Sequence, residues 1–272
     1  MRAFEICDDA DATVIRWDDV AEIRFDSNPG AGWRWLRKPR TSGEAIACER
    51  QAEVFQHRCC GREVLHGSAV HLPWGILCVC GASGVGKSTL AVALSRHGYE
   101  IVADDDILLC EEAGSQRLLP NYLGSRLTKG SADLLGLKEQ ELSADFPGSD
   151  KRIWPGSSWM PGSDPEAETH SIWGIVILEA DNGCHTAFER AKDTAAFEVL
   201  WRQLKYPWMS LSDWRLRQFG VITSLARYSA VFRWRGNPAA TSPFAMANNL
   251  VDFLSAEQSD LGSTQRVEGS IA

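Results

Sequence analysis

The chain has no run of about 18 apolar residues, the length a membrane-spanning helix needs, and no basic stretch followed by an apolar one at its N-terminus. These absences predict a cytoplasmic protein with no membrane partner. Positive charge is also short. Twenty-eight Lys plus Arg stand against 36 Asp plus Glu, a net charge of −8, which argues against the broad basic footprint that nucleic acid demands. The eight cysteines (7, 48, 59, 60, 78, 80, 110 and 184) contain no C-x-x-C pair and no set with zinc-ligand spacing. Cys78, Cys80 and Cys110 lie inside apolar runs and read as small buried residues. No fixed-period repeat is visible. What is present is a globular composition: 272 residues, 44% of them hydrophobic, suffice for a substantial core in one or two domains.

Local patterning divides the chain into three parts. Residues 1–62 mix short alternating stretches, Ala12 to Trp17 and Ala21 to Phe25, with turn chemistry such as "DSNPGAG", and predict a small β-rich N-terminal region. Residues 63–256 carry stronger signals. "LHGSAVHL" and "GILCVC" read as two strands joined by a tight turn at Pro73-Trp74. Lys87 to His97 has helical periodicity, and "YEIVA" reads as a buried strand. A second hairpin, "ILLCEE" to "RLLP", short helical pieces over "NYLGSRLTKGSADLLGL" and a strong strand at "SIWGIVILEA" follow. Helices are predicted over Thr194 to Lys205, Leu211 to Arg227 and Ala245 to Leu254, with a strand at "AVFRWR". Asp145 to Thr169, rich in Pro, Gly, Ser and acidic residues, reads as a long loop holding Lys151, Arg152, Trp154 and Trp159. Residues 257–272 read as a flexible tail. The expected architecture is an α/β P-loop kinase-like sheet flanked by helices.

One segment carries chemistry. Gly81-Ala82-Ser83-Gly84-Val85-Gly86-Lys87-Ser88 fits G-x-x-x-x-G-K-[ST] between a predicted strand and a predicted helix. Glycines let the backbone curl so that successive N–H groups face phosphate oxygens, and the helix N-terminus adds its positive dipole end. The pattern predicts ATP with Mg2+ as cofactors, Lys87 at the β- and γ-phosphates and Ser88 as a magnesium ligand. Thr89, next in the chain, is counted with the nucleotide-binding residues.

Three aspartates, Asp104 to Asp106, follow the next strand. A β-α-β crossover ends that strand at the sheet edge where the loop lies, so Asp104 and Asp105 begin where a γ-phosphate would sit. One of the two carboxylates is expected to hold magnesium and the other to meet an incoming hydroxyl. A hairpin centred on Trp74 would set Gly67 opposite Gly81 and bring His66 to the start of the loop, as a donor to phosphate or aspartate or as a packing residue. Lys151 and Arg152 are either a solvated surface pair or a lid that folds onto phosphate or acceptor.

The stretch "HGSAVHLPWGILCVCGASGVGKSTLAVALSRHGYEIVADDDILL" resembles the catalytic domain of the HPr kinase/phosphorylase family, including kinases encoded with lasso-peptide clusters. Members carry a His-Gly or His-Ala strand, a hairpin into G-x-S-G-x-G-K-S, and a "VADD" element at this spacing. His66, Gly81 to Ser88 and Asp104-Asp105 fall on those positions without a gap. The resemblance implies an ATP-dependent kinase acting on a serine hydroxyl of a peptide or protein, with Asp105 as the base and Asp104 the carboxylate left to hold magnesium, and leaves a homo-oligomer open. A small-molecule P-loop kinase and a nucleotide-switched binding module remain the alternative readings of the residues themselves.

Overall fold

The computed structural model of the chain describes residues 5–9, 12–26, 32–143, 150–156, 169–181, 187–209, 211, 214–238 and 240–268. Part of the expected 145–169 loop, including Trp159, lies outside them.

Strands β1 (Glu5–Asp9), β2 (Ala12–Trp17), β3 (Ala21–Asp26) and β4 (Trp33–Arg37) form an antiparallel meander. Helix α1 (Ser42–Cys59) follows. Ile15, Trp17, Ile23 and Phe25 point to one side by the two-residue strand period and bury against Cys48, Ala52 and Phe55 of α1. The expectation of a β-rich N-terminal region therefore gains an 18-residue helix. Its start was encoded locally: Thr41 accepts from the Glu44 amide and donates its hydroxyl to the Glu44 carboxylate.

The central mixed sheet has eight strands. Along its main path lie β13 (Ala187–Ala191), β14 (Ala230–Gly236), β12 (His170–Ala180), β6 (Gly75–Gly81), β5 (Glu63–Leu72), β8 (Asp106–Glu112) and β9 (Ser115–Leu119), with β7 (Glu100–Ala103) also paired to β5. β12 runs parallel to β6 and β14, and the other pairings are antiparallel.

Helices cover both faces, which is why β6 and β12 are continuous apolar runs rather than alternating ones. Leu77, Val79, Val176, Leu178, Phe232 and Trp234 pack with α2 (Lys87–Arg96) and α6 (Pro243–Glu268) on one face. Ile76, Cys78, Cys80, Ile175, Ile177 and Val231 pack with α4 (Asp193–Trp201) and α5 (Trp214–Tyr228) on the other. Burial places Cys78 and Cys80 as read from the sequence and raises both thiols, Cys80 to about 12, so neither is a ready nucleophile. Cys110 is only half-buried.

Several boundaries differ from the sequence reading. α6 continues to Glu268, past the expected end at Leu254 and through part of the segment read as a tail; no proline follows Pro243. α4 stops at Trp201 rather than Lys205. Within the expected long loop, Lys151–Trp154 forms strand β11, paired antiparallel with β10 (Ser125–Thr128). The first hairpin has a two-residue turn at Pro73-Trp74, so Leu72 pairs with Gly75 and Gly67 with Cys80, not with Gly81.

Candidate active site

β6 and β7 both run antiparallel to β5, hence parallel to each other, and their C-terminal ends lie at the same end of the sheet. This is the placement expected of a strand-helix-strand crossover over β5. At the end of β6 the chain turns through Gly81 (φ +145°), Gly84 (φ +82°) and Gly86 (φ +102°) before α2 begins. A β-carbon on Gly81 would lie 2.5 Å from the Leu178 carbonyl oxygen. Gly81→Ala is therefore expected to cost about 2 kcal/mol or more of stability, from backbone strain and overpacking together; thermal melting measures it, and an unshifted melting temperature would show that the turn tolerates a side chain.

Ala82, Ser83 and Gly84 are exposed, while Val85 turns inward to anchor the turn. α2 starts on Gly86 with no side-chain cap and no acidic residue in its first turn. The Lys87 ammonium folds back beneath the turn and donates to the carbonyls of Gly81 (3.0 Å) and Ala82 (2.9 Å). Burial lowers its pKa, with opposing pulls from Cys80, Asp105 and Asp104. Ser88 and Thr89 are half-buried at the start of α2.

The aspartates sit where β7 passes into β8 along one side of β5. The pairs Glu63–Leu109 and Ala69–Ala103 share one register, and residues 104–105 interrupt it, with Asp105 in the left-handed region at φ +73°. Asp104 accepts from the Ser68 hydroxyl, from the Arg126 amide (3.3 Å) and from the Ser88 side chain. Burial raises its pKa, and the charge of Asp105 adds to the effect. The two residues expected to share a cation, Ser88 and Asp104, are thus brought together across the gap between α2 and β7.

Asp105 takes the opposite character. Burial alone would raise it, but Lys205 (3.0 Å) and Arg126 (3.1 Å) on the same carboxylate oxygen outweigh that and hold the group well below the usual carboxylate range. His66 pairs in the sheet with Asp106. Its Nδ1 lies 3.0 Å from the Asp105 carbonyl oxygen, which only accepts, so this nitrogen carries the proton. Burial, and next the Lys87 charge, lower the pKa of His66, leaving the ring neutral with Nε2 as an acceptor. His66 therefore meets Asp105 through the β8 side of β5, while the observed hairpin register, one residue from that expected, sets it next to the Gly67–Cys80 pair at the start of the glycine turn.

β11 separates Lys151 from Arg152. Neighbouring residues of a strand face opposite ways. Lys151 comes near enough for its charge to lower the Lys87 pKa. Arg152 is tied to the Glu139 carboxylate and donates to the Ser143 carbonyl (3.2 Å).

Three residues escaped the sequence reading: Ser68, Arg126 and Lys205. Ser68 lies within the recognised strand and had no separate signal. Arg126 (β10) and Lys205 (the turn after α4) stand 21 and 100 positions from Asp105, too far apart in the chain for any spacing to tie them to it.

Among the described residues no group of three or more His, Cys, Asp or Glu could hold a metal, and no helix is long and apolar enough to cross a membrane. The Ser88–Asp104 pair suits magnesium of the kind that takes one or two protein ligands and completes its shell with phosphate and water.

No protein-family model matches the chain. Over 113 residues, 41% of its length, it is 27% identical to HPr kinase/phosphorylase 1 of Oceanobacillus iheyensis and covers 36% of that protein, so it spans about a third of the curated relative it matches. This similarity supports the HPr kinase-like character read from the motif. Among solved structures it is similar to the Hpr(Ser) kinase/phosphatase from Coxiella burnetii, at 14% identity and a TM-score of 0.39, over 75% of this chain and 97% of that one.

Proposed function

We propose that the chain is an ATP-dependent kinase that transfers phosphate to a serine hydroxyl of a peptide or protein, a lasso-type precursor being the specific case the resemblance favours. The observation that carries this reading is the convergence at one sheet end of a glycine turn over a buried lysine, a Ser88–Asp104 pair, and a second aspartate, Asp105, held ionised 3.0 Å from Lys205.

Bound Mg-ATP would supply the phosphoryl group and the metal charge that neutralises its oxygens. The rest belongs to this chain. The uncapped amides at the start of α2 and the Lys87 ammonium form a positively charged floor for phosphate. Ser88 and Asp104 hold the metal. Asp105 accepts a hydrogen bond from the acceptor hydroxyl and takes its proton as the oxygen becomes bonded. A carboxylate so strongly paired is a weak base, which suits a transfer with a loose transition state, where orientation matters more than early deprotonation. His66 keeps the Asp105 backbone in place through Nδ1. Lys151 is the remaining candidate for a closing contact on phosphate.

The test is transfer of labelled γ-phosphate from ATP to serine peptides, with threonine and alanine versions and small hydroxyl compounds as comparisons. Transfer to serine peptides supports the reading. A protein that labels only a small molecule, or labels nothing while a partner protein binds its ATP-loaded form, would replace it with one of the two alternatives.

The electrostatics of Asp104 add a pH prediction. Because its folded pKa is raised, protons compete with the metal for this carboxylate at a higher pH than they would for an ordinary aspartate. Magnesium affinity in the presence of nucleotide is expected to fall as pH drops into this elevated range. Asp104→Asn should weaken magnesium binding and flatten that dependence; an Asp104→Asn protein with unaltered magnesium dependence would remove Asp104 from the metal site. Titration calorimetry at several pH values measures both.

A further inference from the structure

Arg58, near the C-terminal end of α1, is fully buried, and its guanidinium makes contacts that the site needs but that lie outside the site. Nε donates to the Glu63 carboxylate of β5 (2.8 Å), where a second nitrogen also approaches at 2.7 Å. The remaining hydrogens go to backbone carbonyls of a single turn: Lys205 (2.6 Å), Tyr206 (2.8 Å) and Met209 (2.8 Å). Only a planar fork with several donors can satisfy a carboxylate and three carbonyls together.

That turn is the one that carries Lys205 to Asp105 and Asp106. It is strained, since Tyr206 is a bulky residue held at φ +48°, a conformation that persists only when the surroundings enforce it. The turn is also pinned to β5 on its other side. The Lys205 amide donates to the Val64 carbonyl (2.9 Å), and the His66 amide donates to the Gln203 carbonyl (2.8 Å).

We infer that Arg58 is a positioning residue of the active site, acting through Lys205: α1 and the N-terminal sheet hold the 205–209 turn in its strained form so that the Lys205 ammonium fixes the Asp105 carboxylate. The N-terminal region is thereby a working part of the site rather than an appendage. The inference rests on the kinase reading for its activity arm only; the placement of Lys205 is measurable without it.

The experiment compares Arg58→Lys, Lys205→Met and the double variant in the full chain. Arg58→Lys keeps a charge for Glu63 but loses the fork. In the transfer assay each single variant is expected to lower kcat by about tenfold or more while leaving the KM for ATP within about twofold. If Arg58 works through Lys205, the double variant falls no further than the worse single one. Additive losses, or an Arg58→Lys enzyme with the parent's kcat, would overturn the inference.

The second arm is lysine acetylation at limiting reagent, mapped by mass spectrometry. Lys205, buried in its ion pairs, should be among the slowest lysines in the parent, and Arg58→Lys should raise its rate about tenfold while the other lysines stay unchanged. An unchanged Lys205 rate in folded Arg58→Lys overturns the inference even if the parent transfers no phosphate, in which case it is the kinase reading that fails separately. Should Arg58→Lys not fold, Arg58→Met with Glu63→Gln removes both charges and so leaves no unpaired buried charge, and the same two readouts apply.

Discussion

Asp105→Asn is expected to bind Mg-ATP with little change and to lose phosphotransfer to serine peptides by about 10²- to 10⁴-fold, the span of a lost general base. Asparagine keeps the size and one accepting oxygen, so the left-handed backbone at position 105, a conformation asparagine also accepts, should persist. What goes is the anion that receives the hydroxyl proton and that neutralises Lys205 and Arg126. Lys205 still has Asp106 as a counter-ion, so the substitution should not expose it to solvent. Nucleotide titration and labelled-phosphate transfer on the same preparation separate binding from transfer. An Asp105→Asn protein that transfers phosphate as fast as the parent removes Asp105 from the mechanism proposed here.

Lys87→Ala is the second large effect. The ammonium bonded to the carbonyls of Gly81 and Ala82 is in direct contact with the turn. Removing it should lower transfer by about 10²-fold or more, the scale found when a single preorganised electrostatic contact to a transition state is deleted. Nucleotide affinity should fall with it, unlike in Asp105→Asn, because ground-state phosphates carry the same charge. Lys87→Arg is not expected to restore activity, since the carbonyl cradle is shaped for a compact ammonium and not for a planar fork. Full activity in Lys87→Ala would mean that Gly81 to Ser88 is not a phosphate-binding turn.

Much of this site is contiguous in the chain, and that part was readable. Gly81, Gly84 and Gly86 announce a backbone with positive φ, Lys87 and Ser88 follow at fixed spacing, and the aspartates end the next strand. The hairpin from β5 to β6 was readable too, but its register was not. A turn taken as centred on Trp74 and one made of Pro73 and Trp74 differ by one residue, so Gly67 meets Cys80 and not Gly81, while the contacts of His66 with Asp105 and Asp106 come from the pairing of β5 with β8, which no hairpin turn specifies. Helix α1 was hidden for a different reason. Turn-forming and alternating stretches dominate residues 1–62, and the Thr41–Glu44 cap that starts the helix is a weak signal beside them.

The amino-acid sequence by itself determined the glycine turn, the lysine beneath it, the strand-helix-strand unit and the paired aspartates. These depend on backbone conformation over a few successive residues, and each residue type states its own conformational preference. Only the tertiary structure decided the electrical character of those aspartates. Burial raises the pKa of Asp104, whereas at its neighbour Asp105 the same pull is outweighed by Lys205 and Arg126, which arrive from two separate elements, Lys205 being fixed by Arg58 from a third. Such contacts follow from which faces bury against the two helical layers and at what register. A charge pair across 100 positions has no period or spacing for the chain to display, and it exists only once the core has packed.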